Sequence, residues 1–228
     1  MEKNRTPIRD AVTDLMAAAD SSNPFTLAGF VLDMLCTPIL DVARGFGVPA
    51  YLFYPSGAAA LALHLHLQDL YESIGSEAFT DYINSGEDLS VPAIANPIPI
   101  RQVIPSFFMM EEEAFHLITF IKRYRETHGI LLNTFEELEP KAVESLRKAG
   151  PAIPPIYPVG PILNLTIHAG NEILGWLDEQ PPSSVVFLCF GSMGCFDAEL
   201  VREVADGLER SGHRFLWSLR RPAQNGSI

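Results

Sequence analysis

Two apolar runs separated by a crossover of about a dozen residues constrain this chain more than any other feature. The first, LAGFVLDML at 27–35, is continuously apolar with one acid near its end. It reads as a buried strand of a parallel sheet, covered on both faces. The second, PAYLFY at 49–54, has the same character. Between them PILDVARGFG (38–47) opens on proline, closes on glycine and spaces Ile39, Val42, Ala43 and Phe46 as one face of a helix. Strand, helix and strand in that order make a βαβ unit, so the expected fold class is α/β.

The same patterns continue to the end of the sequence. Ile8, Val12 and Leu15 predict a helix over 8–19, ahead of the first strand. Two helices are expected over 57–74 and 77–86, and Val91–Pro105 should be irregular, since each proline removes a donor and restricts its neighbour. A helix over Glu111–Thr127, a short strand in GILLNTF and a helix in ELEPKAVESLRKAG follow. Residues 151–163 hold five prolines and one glycine, the composition of a stiff extended connection. Beyond it come a helix in NEILGWLDEQ, an apolar strand at 184–190, the turn GSMG, a helix capped by Asp197 that ends at Gly212, and a strand at 215–220. Two strands do not close a core by themselves.

Composition narrows the partners. With 16 basic and 28 acidic side chains the formal charge is −12, which repels phosphate backbones and anionic lipid surfaces. Nucleic acid and stable membrane insertion are therefore not expected, and no run approaches the roughly 18 apolar residues of a membrane span. Cys36, Cys189 and Cys195 lack metal-ligand spacing and read as buried free thiols. The charged start MEKNRTPIRDAV does not resemble a secretory leader, so a cytoplasmic protein is expected.

Few residues stand where chemistry needs them. Asp33 lies at the carboxyl end of a predicted strand, where open parallel sheets bind ligands. Its functional reading is a carboxylate that orients a general-base histidine. The alternative, a carboxylate that caps the next helix or binds loop amides, is favoured by position alone. Gly191-Ser192-Met193-Gly194 lets backbone amides and a hydroxyl approach a phosphate at a helix start, although an ordinary tight turn has the same composition. The following strand ends in Arg220 and Arg221 rather than in an acid, and without a GxG a dinucleotide dehydrogenase is disfavoured. His64 and His66, two apart on a helix, cannot chelate one metal, and no metal site is expected. Trp176 and Trp217 are expected in cores.

The stretches GFVLDMLCTPILDVARGFGVPAYLFYPSGAA, ILLNTFEELEPKAVESL, YPVGPILNL and WLDEQPPSSVVFLCFGSMGCFDAELVREVADGLERSGHRFLWSLRRP together resemble the plant UDP-sugar-dependent glycosyltransferases of secondary metabolism. Within that family the chain is similar to the flavonoid and anthocyanidin 3-O-glucosyltransferases. The resemblance implies two facing Rossmann-like domains of the glycosyltransferase B type: residues 1–165 for the acceptor, nearly complete but lacking a first strand, and 166–228 as a truncated start of the UDP-sugar domain. It implies an inverting glucosyl transfer from UDP-glucose to a phenolic hydroxyl, without a cofactor, by a protein monomeric when complete. Asp33 matches the catalytic aspartate, whose histidine partner has no counterpart upstream of it here. Gly191 and Ser192 match the donor-phosphate loop. Pro55 replaces a sugar-contacting threonine or serine, for which Ser56 is a possible substitute, although strand alternation points it elsewhere. The 228 residues alone are expected to be inactive. A truncated, non-catalytic binding product of the same family is the alternative.

Overall fold

The computed structural model describes residues 5–18, 25–100, 111–163, 172–191 and 194–220. The chain divides into two compact units, Met1–Asn164 and Leu165–Ile228.

In the first unit, helix α1 (Arg5–Ala17) precedes strand β1 (Phe30–Asp33). A 3-10 turn over Thr37–Ile39 leads into α2 (Leu40–Gly45) and then β2 (Ala50–Tyr54). The βαβ unit is thus present, with β1 parallel to β2 and Leu32 opposite Leu52. Helix α3 (Ala58–Ser85) fills the stretch expected to hold two helices. Its backbone breaks at Gly75, whose φ of 81° is open to glycine at little cost. Two-residue strands β3 (Asp88–Leu89) and β4 (Ile98–Pro99) pair antiparallel, the second of them inside the proline-rich stretch read as irregular. Then come α4 (Glu111–Tyr124), β5 (Ile130–Leu132), α5 (Pro140–Lys148) and β6 (Ile156–Pro158). The last of these corrects the reading of 151–163 as a plain connection: Ile156 to Pro158 pair in parallel with Ile130 to Leu132. Pro158 is tolerated because β6 is at the sheet edge in the order β1-β2-β5-β6.

That order explains which face is covered. The strands follow one another in a single direction and run parallel, so right-handed crossovers place every connecting helix on the same side. Leu32, Leu52, Tyr54, Ile130, Leu132 and Ile156 are buried on this side with Leu61, Leu65 and Ile121 from the helices. The opposite side carries the cross-strand row Asp33, Phe53, Leu131, Tyr157. Val31 is 63% exposed there and Tyr157 45%. The expectation that the first strand is covered on both faces is therefore wrong for the described residues. β1 alternates like a half-buried edge strand.

Ion pairs fix α2 against the end of α4: Arg123 Nη2 to Asp41 Oδ1 at 2.6 Å and Arg44 Nη2 to Glu126 Oε2 at 2.9 Å. Hydrogen bonding from Arg123 holds the Asp41 carboxyl below its ordinary range.

The second unit contains α6 (Glu172–Asp178), β7 (Val185–Cys189), α7 (Ala198–Ser211) and β8 (Arg214–Ser218). β7 and β8 pair in parallel. Asp197 caps α7 as expected, its Oδ1 accepting from the Leu200 amide at 2.8 Å. None of the described residues of this unit is buried, and Trp176 is 38% exposed, so the core position expected for it is not found. Cys189 and Cys195 are exposed and Cys36 half-buried, which also corrects the reading of all three as buried thiols.

Candidate functional site

The parallel strands of the first unit all end on one edge, where β1 contributes Asp33, β2 leads into Pro55-Ser56-Gly57, and β5 into Asn133 and Thr134. Asp33 is exposed. Its Oδ1 accepts from the Leu35 amide at 3.0 Å and its carbonyl from the Cys36 amide at 2.8 Å, so the strand turns at once into the next helix. This loop bonding is the alternative that position favoured for Asp33. It orients the carboxylate and leaves the side chain open to solvent, so a second role for it is geometrically open. Burial, and then the neighbouring Asp33 charge, push the Cys36 thiol up.

Ser56 is exposed in the turn between β2 and α3, on the same edge as Asp33. The turn is held from two directions. Asn133 Nδ2 donates to the Pro55 carbonyl at 3.1 Å, and the Asn133 Oδ1 accepts from the Ile162 amide at 2.9 Å. Glu139 accepts from the Ala58 amide at 2.8 Å and the Ala59 amide at 3.0 Å, while the buried Thr134 hydroxyl donates to it at 2.6 Å. Burial raises the Glu139 carboxyl, but the bonds from Thr134, Ala59 and Ala58 prevail and hold it below its ordinary range. Sequence reasoning missed Glu139 and Asn133. A signal for Glu139 was available: α3 opens on Gly57, which has no capping side chain, so its first amides need an acceptor from elsewhere.

Beneath the edge, on the helix-covered side, the Tyr54 hydroxyl and His64 Nδ1 are 2.8 Å apart in the core. The Tyr54 and Tyr124 rings meet edge to face at 6.2 Å. Burial lowers His64 to about 4 and raises both tyrosines. These groups stay neutral at physiological pH and shape the floor of the edge rather than carrying charge.

In the second unit Gly191 follows β7 with φ of 73°, a conformation that favours glycine. Ser192 lies outside the described residues. A Cβ on Gly194 would overlap the Phe190 carbonyl, so Gly194 lies directly against the strand end. Asp197 occupies the start of α7.

Among the described residues no group of three histidine, cysteine, aspartate or glutamate side chains could hold a metal ion. Nor, among them, is any helix long and apolar enough to cross a membrane. A groove of about 330 Å³ between α3, Val91–Ala93 and α5 has neither Asp33 nor Ser56 in its lining.

No family model matches the chain. It is 47% identical over 234 residues to the UDP-glucose flavonoid 3-O-glucosyltransferase 6 of Fragaria ananassa, covering 98% of this chain and 48% of that protein. It is also 47% identical over 234 residues to the anthocyanidin 3-O-glucosyltransferase 6 of Manihot esculenta, covering 100% of this chain and 58% of that one. Among solved structures it is similar to a UGT transferase from Siraitia grosvenorii in complex with UDP, with a TM-score of 0.86 and 44% identity over 99% of this chain and 51% of the other. Phytolacca americana UGT2, complexed with UDP-2-fluoro-glucose and pterostilbene, matches with a TM-score of 0.81 and 36% identity over 95% of this chain and 47% of the other. The chain spans about half the length of the curated relatives it matches. With parallel Rossmann-like topology of the glycosyltransferase B type and this degree of identity along its length, it belongs to the plant UDP-glycosyltransferase family.

Proposed function

We propose that the protein to which these residues belong transfers glucose from UDP-glucose to a hydroxyl of a flavonoid, anthocyanidin or related small phenol, with inversion at the anomeric carbon. The observation that carries this reading is the 47% identity to flavonoid and anthocyanidin glucosyltransferases over 98% and 100% of the chain.

In the proposed reaction a histidine outside these residues takes the phenolic proton. Asp33 bonds its other ring nitrogen, selects the tautomer and stabilises the imidazolium that forms. The phenolic oxygen gives an electron pair to the anomeric carbon as the bond to the β-phosphate oxygen breaks, and UDP departs on the opposite side with that bond's electrons. Ser56 contacts the sugar, and Gly191 and Ser192 bind the donor phosphates. No metal or further cofactor enters the scheme.

The test compares the 228-residue chain with the product of its extended reading frame, using UDP-glucose, a panel of flavonoids and simple phenols, and mass spectrometry. Transfer is expected only from the extended protein, and Asp33→Asn should lower its kcat by about a hundredfold or more. Turnover by the 228 residues alone would refute a base outside them. Failure of the extended protein on every phenol would refute the acceptor class.

A further inference from the structure

The turn that presents Ser56 is fixed by side chains far from it in sequence. α3 begins after Gly57, a residue unable to cap it, and the first helical amides go instead to Glu139 across 81 and 80 residues. The acceptor is itself held: Thr134, 1% exposed, donates to the same oxygen that takes the Ala58 amide. On the other side of Ser56, Asn133 takes the Pro55 carbonyl. A Cβ on Gly57 would overlap the Glu139 carboxylate, so the turn and the acid are in direct contact. Ser56 is thus the exposed residue between two anchored peptide groups, its backbone set by the loop after β5.

We infer that Glu139 is a positioning residue for the sugar donor: its carboxylate, fixed by Thr134, sets the β2–α3 turn so that the Ser56 hydroxyl meets the sugar. The inference rests on the glucosyltransferase reading above. A carboxylate suits the task because it only accepts, and here the Ala58 and Ala59 amides and the Thr134 hydroxyl all donate to it. It also places a negative charge at the positive end of α3, so this turn offers an incoming sugar a hydroxyl rather than an open anion site. Glutamine has the same shape but must direct an NH2 group at one of those donors, which costs a bond and lets the turn move.

The experiment uses the extended protein and its Glu139→Gln, Thr134→Val, Ser56→Ala and Glu139→Gln/Ser56→Ala variants, with separate kinetics for UDP-glucose and for the phenol. Glu139→Gln is expected to raise the KM for UDP-glucose roughly three- to tenfold and leave the KM for the phenol unchanged. Thr134→Val should shift the same parameter by less. The effect of Glu139→Gln should disappear when Ser56 is already alanine, because it acts through that hydroxyl. A purely structural role would lower Tm but leave the donor KM of the folded enzyme where it was. An unchanged donor KM, or an effect that persists in full in the Ser56→Ala background, overturns the inference. A parent protein without any transfer overturns the glucosyltransferase reading instead, so the two failures are distinct. If Glu139→Gln does not fold, the Thr134→Val and Ser56→Ala pair supplies the same cycle.

Discussion

A single core histidine makes the stability of this chain depend on pH in a defined window. His64 is 1% exposed and its ordinary value of 6.5 falls to about 4 because burial penalises the imidazolium. The unfolded chain therefore takes a proton below 6.5 that the native chain refuses until about 4. The stability that this residue contributes is complete above 6.5 and is lost progressively as the pH falls toward 4. The loss amounts to about 3 kcal/mol across the window. Urea unfolding of the chain and of His64→Gln between pH 7 and 4 should show it as a steeper fall for the unsubstituted chain. Parallel curves would show that His64 does not titrate as a buried group. The sequence rules out a metal-chelating pair at His64 and His66 but does not place His64 at the surface or in the core, since a histidine on a helix reads the same either way. Its place in the core depends on Tyr54, which reaches it from another element. Asp33, by contrast, was legible because the end of an apolar strand is a position that sequence pattern does mark. Glu139 was not: the uncapped start at Gly57 signals that an acceptor is needed, but the amides that Glu139 serves lie 81 and 80 residues away and pattern does not say which acid meets them.

Elements were legible where a period runs long enough to count. β1 and β2 emerged from continuous apolar runs, α2 from its helical spacing, and α7 from its Asp197 cap and its end at Gly212. β6 did not, because its three residues lie among prolines that read as a connection, and only pairing with β5 makes them a strand. The two helices expected over 57–74 and 77–86 are present as the two halves of α3, which meet at the non-helical Gly75. The chain beyond β6 returns so closely that a Cβ on Gly160 would lie 2.6 Å from both Asn133 Oδ1 and the Thr134 amide nitrogen. The Thr134 nitrogen is backbone and cannot swing away, and the Asn133 side chain is held by its bonds to the Pro55 carbonyl and the Ile162 amide. Gly160→Ala should therefore cost about 1–3 kcal/mol. Gly45, in α2, has nothing within 4 Å of the same added atom, and Gly45→Ala should be neutral or gain about 0.5–1 kcal/mol. Thermal unfolding of the pair checks both signs. Equal Tm values for the two variants would refute the close approach at Gly160.

At the scale of the molecule the two units differ in how much apolar surface they remove from water. In the first, Leu52, Ile130 and Leu132 are fully buried beneath α3 and α4. In the second, Phe187 is 63% exposed and Val186 46%, although β7 and β8 are regular and α7 is well capped. Local propensity and caps build these elements, but two paired strands bury too little to hold them against conformational entropy. The 228-residue chain should therefore open its second unit far more often than its first. Amide hydrogen exchange checks this: Val186, Leu188 and Leu216 should exchange at least about a hundredfold faster than Leu52 and Leu132, a gap of roughly 3 kcal/mol in local opening. An apolar dye should bind the native chain, and its signal should persist when the first unit is still folded. Equal protection in the two sheets would mean that β7 and β8 are stabilised by contacts beyond those of a bare two-stranded pair, and would refute the argument from exposure.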